Sequence, residues 1–173
     1  MSAAITFFPL GNADTTRLKL ADGQRILFDF ADMGKSEKSE VMIDLADEIR
    51  HDLRQGEKNE LSILCFTHLD KDHCFGADEA FWLSHHSSYQ SKDRIKFDEL
   101  WVPAAAILEP NLEEPAAIAV QKEAKHRLRE GVGIKIFSTP KALEGWLRKN
   151  GISLAERSHC IVNAGVSVPG FEL

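Results

Sequence analysis

The feature that most constrains this chain is an apolar run that leads directly into a cluster of metal-ligand side chains. Residues 61–66 read Leu-Ser-Ile-Leu-Cys-Phe, and such a run is typical of a strand covered on both faces. The next seven residues read Thr-His-Leu-Asp-Lys-Asp-His. Imidazole and carboxylate groups together suit Zn²⁺, Mn²⁺ or Fe. We therefore interpret four side chains at this strand end as metal ligands: His68, Asp70, Asp72 and His73.

The spacing of these four residues predicts two ions. His68 and Asp70, two positions apart, can converge on one ion, and Asp72 and His73 can reach a second. Two ions about 3.5–4 Å apart can hold a bridging hydroxide and clamp an in-line displacement. The alternative is a charged loop with an aspartate N-cap and two incidental histidines. The position after a buried strand, and Gly76 as a site of close backbone approach, favour the metal site.

The remaining sequence predicts a single α/β domain. A β-meander is expected first, because residues 16–20 alternate in polarity and Asp22-Gly23 is a strong hairpin signal. Helices and strands then alternate, which favours a layered α/β fold. We predict a mobile surface loop at 33–40. The predicted strands are 5–8, 16–20, 25–30, 61–66, 100–103, 134–137 and 160–162, and the predicted helices are 41–53, 77–83, 113–130 and 140–149.

Composition limits the classes of function. The 173 residues are 43% hydrophobic and 28% charged, the balance of a soluble globular domain. No membrane span or secretory signal is evident, and three unpaired cysteines predict buried, reduced thiols in the cytoplasm. The net charge of −6 argues against binding nucleic acid through a basic surface, although bound cations would supply positive charge. The basic residues of the 113–130 helix alternate with glutamates and predict a solvated face.

The residues of the motif also carry a family resemblance. Residues 67–76 resemble the His-x-His-x-Asp-His signature of the metallo-β-lactamase superfamily, with Asp70 in place of the second histidine. This form is similar to the branch that contains the DNA-processing domain of the bacterial competence protein ComEC. Residues 10–15 (Leu-Gly-Asn-Ala-Asp-Thr) resemble the Val-Gly-Gln-Gly-Asp-Ser stretch that opens such domains. Residues 28–30 (Phe-Asp-Phe) are similar to the strand whose final aspartate lies beneath the metal site.

The resemblance implies a fold and a mechanism. The fold would be the N-terminal half of an αββα sandwich, with two divalent ions (Zn or Mn, Mg also fitting) at one edge between the sheets. His68 and Asp70 would bind the first ion, and Asp72 and His73 the second. Asp72 would also orient or deprotonate the attacking water. Asp14 and Asp29 would support the ligands or order the loop, although an aspartate after a strand often only caps a turn.

Two later elements of the family are missing from the sequence. No Gly-Asp dipeptide occurs, and His85-His86 lies too early to be the distal histidine pair. His159 is a candidate middle ligand, but a half-buried strand histidine is the favoured interpretation. We therefore expect residues 1–173 to be the N-terminal part of a hydrolase domain. A C-terminal segment, a split-gene product or a separate subunit would complete it, and proteolytic cleavage would suit a nuclease kept silent in a bacterial defence system.

The function predicted from these residues is a cytoplasmic metal-dependent hydrolase. The favoured form is a phosphodiesterase or nuclease acting on DNA or RNA through a dinuclear metal-bound hydroxide. A hydrolase of small esters, thioesters or lactams on the same fold is an alternative, because fold alone does not choose a substrate. A non-catalytic regulatory or interaction module is another. Asp70 argues mildly against a zinc lactamase, and the four intact ligands argue against a decayed site.

Overall fold

The architecture is a seven-stranded sheet with helices, seen in a computed structural model that describes residues 2–11, 13–33, 43–56 and 59–165. This confirms the predicted α/β class. Most of the predicted loop at 33–40 and the first two residues of the predicted helix 41–53 lie outside the described residues. The strands follow sequence order in the sheet: β1 (Ala4–Phe7), β2 (Thr16–Lys19), β3 (Arg25–Phe28), β4 (Glu60–Cys65), β5 (Lys96–Pro103), β6 (Ile134–Phe137) and β7 (Ile161–Val162).

The sheet combines two connection types. Strands β1 to β3 form the predicted antiparallel meander, and every pairing from β3 to β7 is parallel. Parallel neighbours need crossover connections, which are usually helical. The helices of the described chain supply them: α1 (Leu45–Arg54), α2 (Lys71–Cys74), α3 (Ala77–Ala80), α4 (Ala104–Leu108), α5 (Pro115–Glu130) and α6 (Lys141–Lys149).

The strand order explains why the two faces of the sheet differ. Because β3 to β7 advance in one direction and such crossovers are right-handed, the six helices of the described chain pack on the same face. The main core joins strand side chains such as Leu27, Leu64 and Leu100 to side chains from these helices. The opposite face, which we call the second face, has a smaller cluster of three buried residues, Ile26, Ile63 and Cys65. It is flanked by the partly buried Leu18, Leu20, Phe28 and Trp101. No helix of the described chain contributes to that smaller cluster.

Several predicted boundaries are wrong, each for a local reason. Helix α3 ends at Ala80 because Phe81 is extended and bridges to Ile95, which places its ring against Phe30 in the core. Strand β5 begins four residues before the predicted start, since its first half alternates between exposed and buried positions. The short helix α4 was not predicted.

The predicted strand at 160–162 needs a further correction. Residues Ala155–Cys160 form a 3₁₀ helix, and only Ile161–Val162 pair with the sheet. His159 is exposed rather than half-buried in a strand. Its Nε2 lies 2.8 Å from the carbonyl oxygen of Gly131, so its contact is with a neighbouring turn.

The three cysteines are free and buried, as predicted. Burial raises the pKa of the Cys65 thiol to about 12, and burial likewise raises the pKa of the Cys74 thiol to about 12. Since the thiolate is the reactive form, we expect both to react with iodoacetamide at pH 8 at least about 100-fold more slowly than a free thiol. Mass spectrometry of native and urea-unfolded protein tests this. Equal labelling in both states would contradict it.

Among the residues that the structure describes, no helix is both long enough and apolar enough to cross a bilayer.

Candidate metal centre

The predicted site residues lie where β3 and β4 end side by side. These strands are parallel and Phe28 pairs with Cys65, so the segments that follow them emerge at the same edge of the sheet. The backbone N–H of Asp29 donates to the carbonyl of Cys65 (2.7 Å), and the N–H of Phe30 donates to the carbonyl of His73 (2.9 Å). The segment after β3 is thus hydrogen-bonded to the loop and short helix that carry the motif.

Asp29 is the structural centre of this edge. It is 4% exposed and adopts φ = 55°, a left-handed conformation that aspartate tolerates better than most residues. Its Oδ1 accepts a hydrogen bond from the Thr67 N–H (2.7 Å) and its Oδ2 one from the Thr67 hydroxyl (2.7 Å). The same Oδ2 lies 2.9 Å from Nδ1 of His73. The buried carboxylate therefore aligns the start of the motif with its end.

These contacts determine which imidazole nitrogens face the site. An ionised carboxylate can only accept, so Nδ1 of His73 must carry the proton that it donates to Asp29. The Thr67 hydroxyl donates its proton to Asp29. Its oxygen lies 3.1 Å from Nδ1 of His68 and can accept a hydrogen bond from an Nδ1–H group there. In neutral imidazoles both Nε2 atoms are then left with a lone pair. Carboxylate support behind a histidine is the usual arrangement around protein metal sites.

Three of the four predicted ligands gather into one group. His68, Asp72 and His73 each offer a ligand atom, and these atoms lie within 4.8 Å of one another. The imidazole rings of the two histidines are 3.6 Å apart between centroids. Oδ2 of Asp72 is 3.6 Å from Nε2 of His73. Within the described chain this is a candidate site for one ion, and it does not by itself support a second.

Asp70 stands beside this group rather than in it. Its Oδ2 is 3.5 Å from Nε2 of His68, and its side chain is 78% exposed. Asp70 occupies the N-cap position of α2, but its side chain makes no capping hydrogen bond. The alternative interpretation of the loop required this aspartate to cap the helix. The Asp70 carboxylate does not do so.

Asp14 approaches the site from the segment between β1 and β2. Its backbone N–H donates to the carbonyl of Asp72 (3.2 Å), which ties this segment to the motif. Its carboxylate is 83% exposed, with Oδ2 3.9 Å from Nε2 of His73. The Asp14 carboxylate thus faces the same nitrogen as the Asp72 carboxylate, although the sequence predicted only a supporting role for it.

The charges around the two histidines favour a cation. Four carboxylates, from Asp14, Asp29, Asp70 and Asp72, lie within 4 Å of one imidazole or the other. The lysine inside the motif is directed elsewhere, since Nζ of Lys71 lies 4.9 Å from the ring centroid of Phe75.

Gly76 is needed for a different reason from the one expected. It adopts φ = 79°, and a Cβ built there would lie 3.5 Å from Cβ of Asp32, an ordinary contact distance. The left-handed backbone, rather than close approach of another group, is what favours glycine at this position.

A second polar cluster, which sequence reasoning missed, is centred on the fully buried Glu123 of α5. Its carboxylate accepts hydrogen bonds from the Ser84 hydroxyl (2.7 Å) and the His85 N–H (2.9 Å). Nε of Arg127 donates to it at 2.7 Å, and Nδ1 of His85 lies 3.0 Å away. The alternation of basic residues with glutamates predicts a solvated face for this helix, which is wrong for Glu123. Its partners Ser84 and His85 lie 39 and 38 residues away, beyond the reach of a local pattern. Only the pair Glu123 and Arg127, four positions apart, was a detectable signal.

The chain was compared with protein-family models, with curated proteins and with solved structures, and none of the three comparisons gives a match.

Proposed function

We propose that this protein is a metal-dependent hydrolase whose centre is formed by His68, Asp72 and His73. The observation that carries the proposal is the convergence of these three ligand atoms within 4.8 Å, with the buried Asp29 carboxylate on Nδ1 of His73. A histidine held in this way presents a lone pair at Nε2, as a metal ligand requires.

The residues present fit a divalent transition metal. Two imidazoles and a carboxylate are the ligand set of many catalytic zinc sites, which keep a further position open. A bound ion would lower the pKa of a water and neutralise charge on an oxygen of the substrate. Asp72 is half exposed, so its carboxylate is accessible to orient a water and to accept its proton.

The substrate class that we propose is a phosphodiester, as in DNA or RNA. Its support is the resemblance of residues 67–76 and 10–15 to ComEC-like domains. Electrostatics makes the reaction strictly dependent on cations, because the four carboxylates around the site would otherwise repel a phosphate. Two ions remain part of the proposal. The second would use Asp70 or Asp14, whose carboxylates lie 3.5 and 3.9 Å from Nε2 of His68 and His73 respectively.

The direct test combines metal binding with hydrolysis. Wild-type protein, purified together with any complementary segment or subunit, is titrated with Zn²⁺ and Mn²⁺ by calorimetry, and then incubated with single-stranded and plasmid DNA and with RNA. We expect stoichiometric metal binding and metal-dependent cleavage, with Asp72→Ala reducing cleavage at least about 1,000-fold. Asp98→Ala, an exposed aspartate of β5, is the matched control. Equal cleavage by wild type and Asp72→Ala would remove the proposed mechanism, and cleavage of p-nitrophenyl esters alone would favour the small-molecule alternative.

We further propose that a complementary segment or subunit covers the second face of the sheet. Support comes from two apolar side chains of β1, the outer strand of the antiparallel meander. Ile5 is 61% exposed and Phe7 is 76% exposed. A sandwich would bury these side chains against another sheet. Size-exclusion chromatography and native mass spectrometry of material from the natural source test this proposal. A monodisperse 19.3 kDa monomer that binds two metal ions would overturn it.

A further inference from the structure

A basic pocket lies at the end of the sheet where β4 and β5 begin, opposite to the end that carries the candidate metal centre. It has a volume of about 250 Å³ and is lined by the C-terminal half of α1 and by the segment before β5. Strand β4, which separates the two sites, has six residues and rises about 3.3 Å per residue. The pocket therefore lies roughly 20 Å from the metal centre. Its charged lining residues are Arg50, Arg54, Lys92, Asp93 and Arg94.

The charge of this pocket contrasts with that of the whole protein. Of the described residues, four cations and one carboxylate line it, whereas the chain carries a net charge of −6. The carboxylates of Asp93 and of Asp47, which pairs with Arg50, offset part of this charge. An anion between the cations relieves the repulsion that remains. The concentration of positive charge here therefore indicates a site for an anion.

Two of the cations are held in place by the fold. Nη1 of Arg50 lies 2.6 Å from Oδ1 of Asp47, and its Nε donates to the carbonyl of Asp93 at 3.1 Å. Nη1 of Arg94 donates to the carbonyls of Asp78 and Phe81. Arginines fixed in this way lose little side-chain entropy when they bind a ligand.

The other two cations are available to a ligand. Arg54 and Lys92 are exposed, and within the described part of the chain neither makes a side-chain hydrogen bond or an ion pair. Planar guanidinium groups bind phosphate oxygens in a bidentate manner, and an ammonium group adds a mobile point charge. Rigid arginines at the wall and mobile cations at the rim suit an anion with several charged oxygens.

We propose that this pocket binds the di- or triphosphate group of a nucleotide or of a nucleic-acid 5′ end. Arg54 and Lys92 have no partner in the described chain, and Arg50 and Arg94 keep guanidinium N–H groups beyond those that contact Asp47 and the backbone carbonyls. Linked phosphates offer oxygens to more of these donors than a single phosphate does. The volume is below that of typical drug-sized ligand sites, so the phosphates occupy the pocket and the remainder of the ligand extends into solvent.

The test uses pyrophosphate as the probe, measured by calorimetry in metal-free buffer without a polyanionic chelator. We expect binding at one site per chain. The double variant Arg54→Gln/Lys92→Gln should weaken it about tenfold, since two surface charges are lost near the anion. The matched control Arg148→Gln/Lys149→Gln removes the same charges from the last turn of α6, and it should change affinity less than twofold.

Three results would overturn the proposal. They are no binding of pyrophosphate, equal weakening by both double variants, and loss of binding in His68→Ala, which would place the anion at the metal centre. Competition by ATP and by oligonucleotides with 5′-triphosphate or 5′-hydroxyl ends then identifies the source of the phosphates. Because the measurement needs neither metal nor hydrolysis, it succeeds or fails independently of the proposed enzymatic activity.

Discussion

Replacing Asp29 with asparagine is expected to lower the affinity of the centre for Zn²⁺ by about 10- to 100-fold while leaving the fold intact. Asparagine keeps the size of the side chain and tolerates φ = 55°. Its carbonyl oxygen can still accept from the Thr67 N–H, but its NH₂ group then faces His73. The imidazole must accept at Nδ1 and carry its proton at Nε2, where it can no longer ligate.

The tautomer of His73 gives a readout that needs no metal. Nitrogen-15 NMR of the histidine rings should show the proton on Nδ1 in the wild type and on Nε2 in Asp29→Asn. Asp98→Asn is the control, because that aspartate is exposed on β5 and should leave both the tautomer and the affinity unchanged. Unaltered Zn²⁺ affinity in Asp29→Asn would show that the carboxylate does not support the ligand.

Asp29→Ala should be far more damaging to stability. The substitution leaves the Thr67 N–H without an acceptor and removes two further contacts, and alanine is strained at φ = 55°. Together these effects are expected to cost about 4 kcal/mol of unfolding free energy. Urea denaturation of the wild type, Asp29→Asn and Asp29→Ala measures the difference. A loss under about 1 kcal/mol in the alanine variant would contradict the central role of this carboxylate.

Glu123→Ala is expected to reduce the free energy of unfolding by about 3–4 kcal/mol. The side chain is fully buried, and its removal leaves Arg127, Ser84 and the His85 N–H without their shared acceptor. Urea denaturation at pH 7 measures the loss. Glu130→Ala, an exposed glutamate in the same helix, should change stability by less than about 0.5 kcal/mol.

Glu123 also predicts how stability depends on pH. Burial acts to raise its pKa, but hydrogen bonds from Arg127, Ser84 and His85 outweigh that effect and lower the pKa from 4.5 to about 2. A lowered pKa in the folded state means that the folded protein binds the proton more weakly than the unfolded chain. The stabilisation is therefore complete above pH 4.5 and is lost as the pH falls toward 2, by about 3 kcal/mol in total.

The Glu123→Gln variant isolates this dependence. Glutamine retains one acceptor oxygen and cannot ionise, so the difference in stability between wild type and variant should shrink as the pH falls from 5 to 2. Thermal unfolding across this range measures it. A constant difference would mean that Glu123 is not responsible for the loss of stability in acid.

The sequence by itself determined the local features of the protein. Polarity alternation and an Asp-Gly turn predicted the meander, and the apolar run before His68 predicted a buried strand. The four predicted ligands, two histidines and two aspartates, were visible because they lie within six positions of one another. Features of this kind depend on neighbours along the chain, and their patterns can be read directly.

Only the tertiary structure decided which distant groups meet. The contacts of Asp29 with Thr67 and His73 span 38 and 44 positions, and those of Glu123 with Ser84 and His85 span 39 and 38. The basic pocket likewise joins α1 to the segment before β5. Polarity patterns along the chain do not predict such contacts. These contacts depend on the parallel registers of β3, β4 and β5 and on the helices packed over one face of the sheet. The physical reason is that a buried polar group is stabilised by partners which the sheet, rather than the local sequence, brings within hydrogen-bond distance.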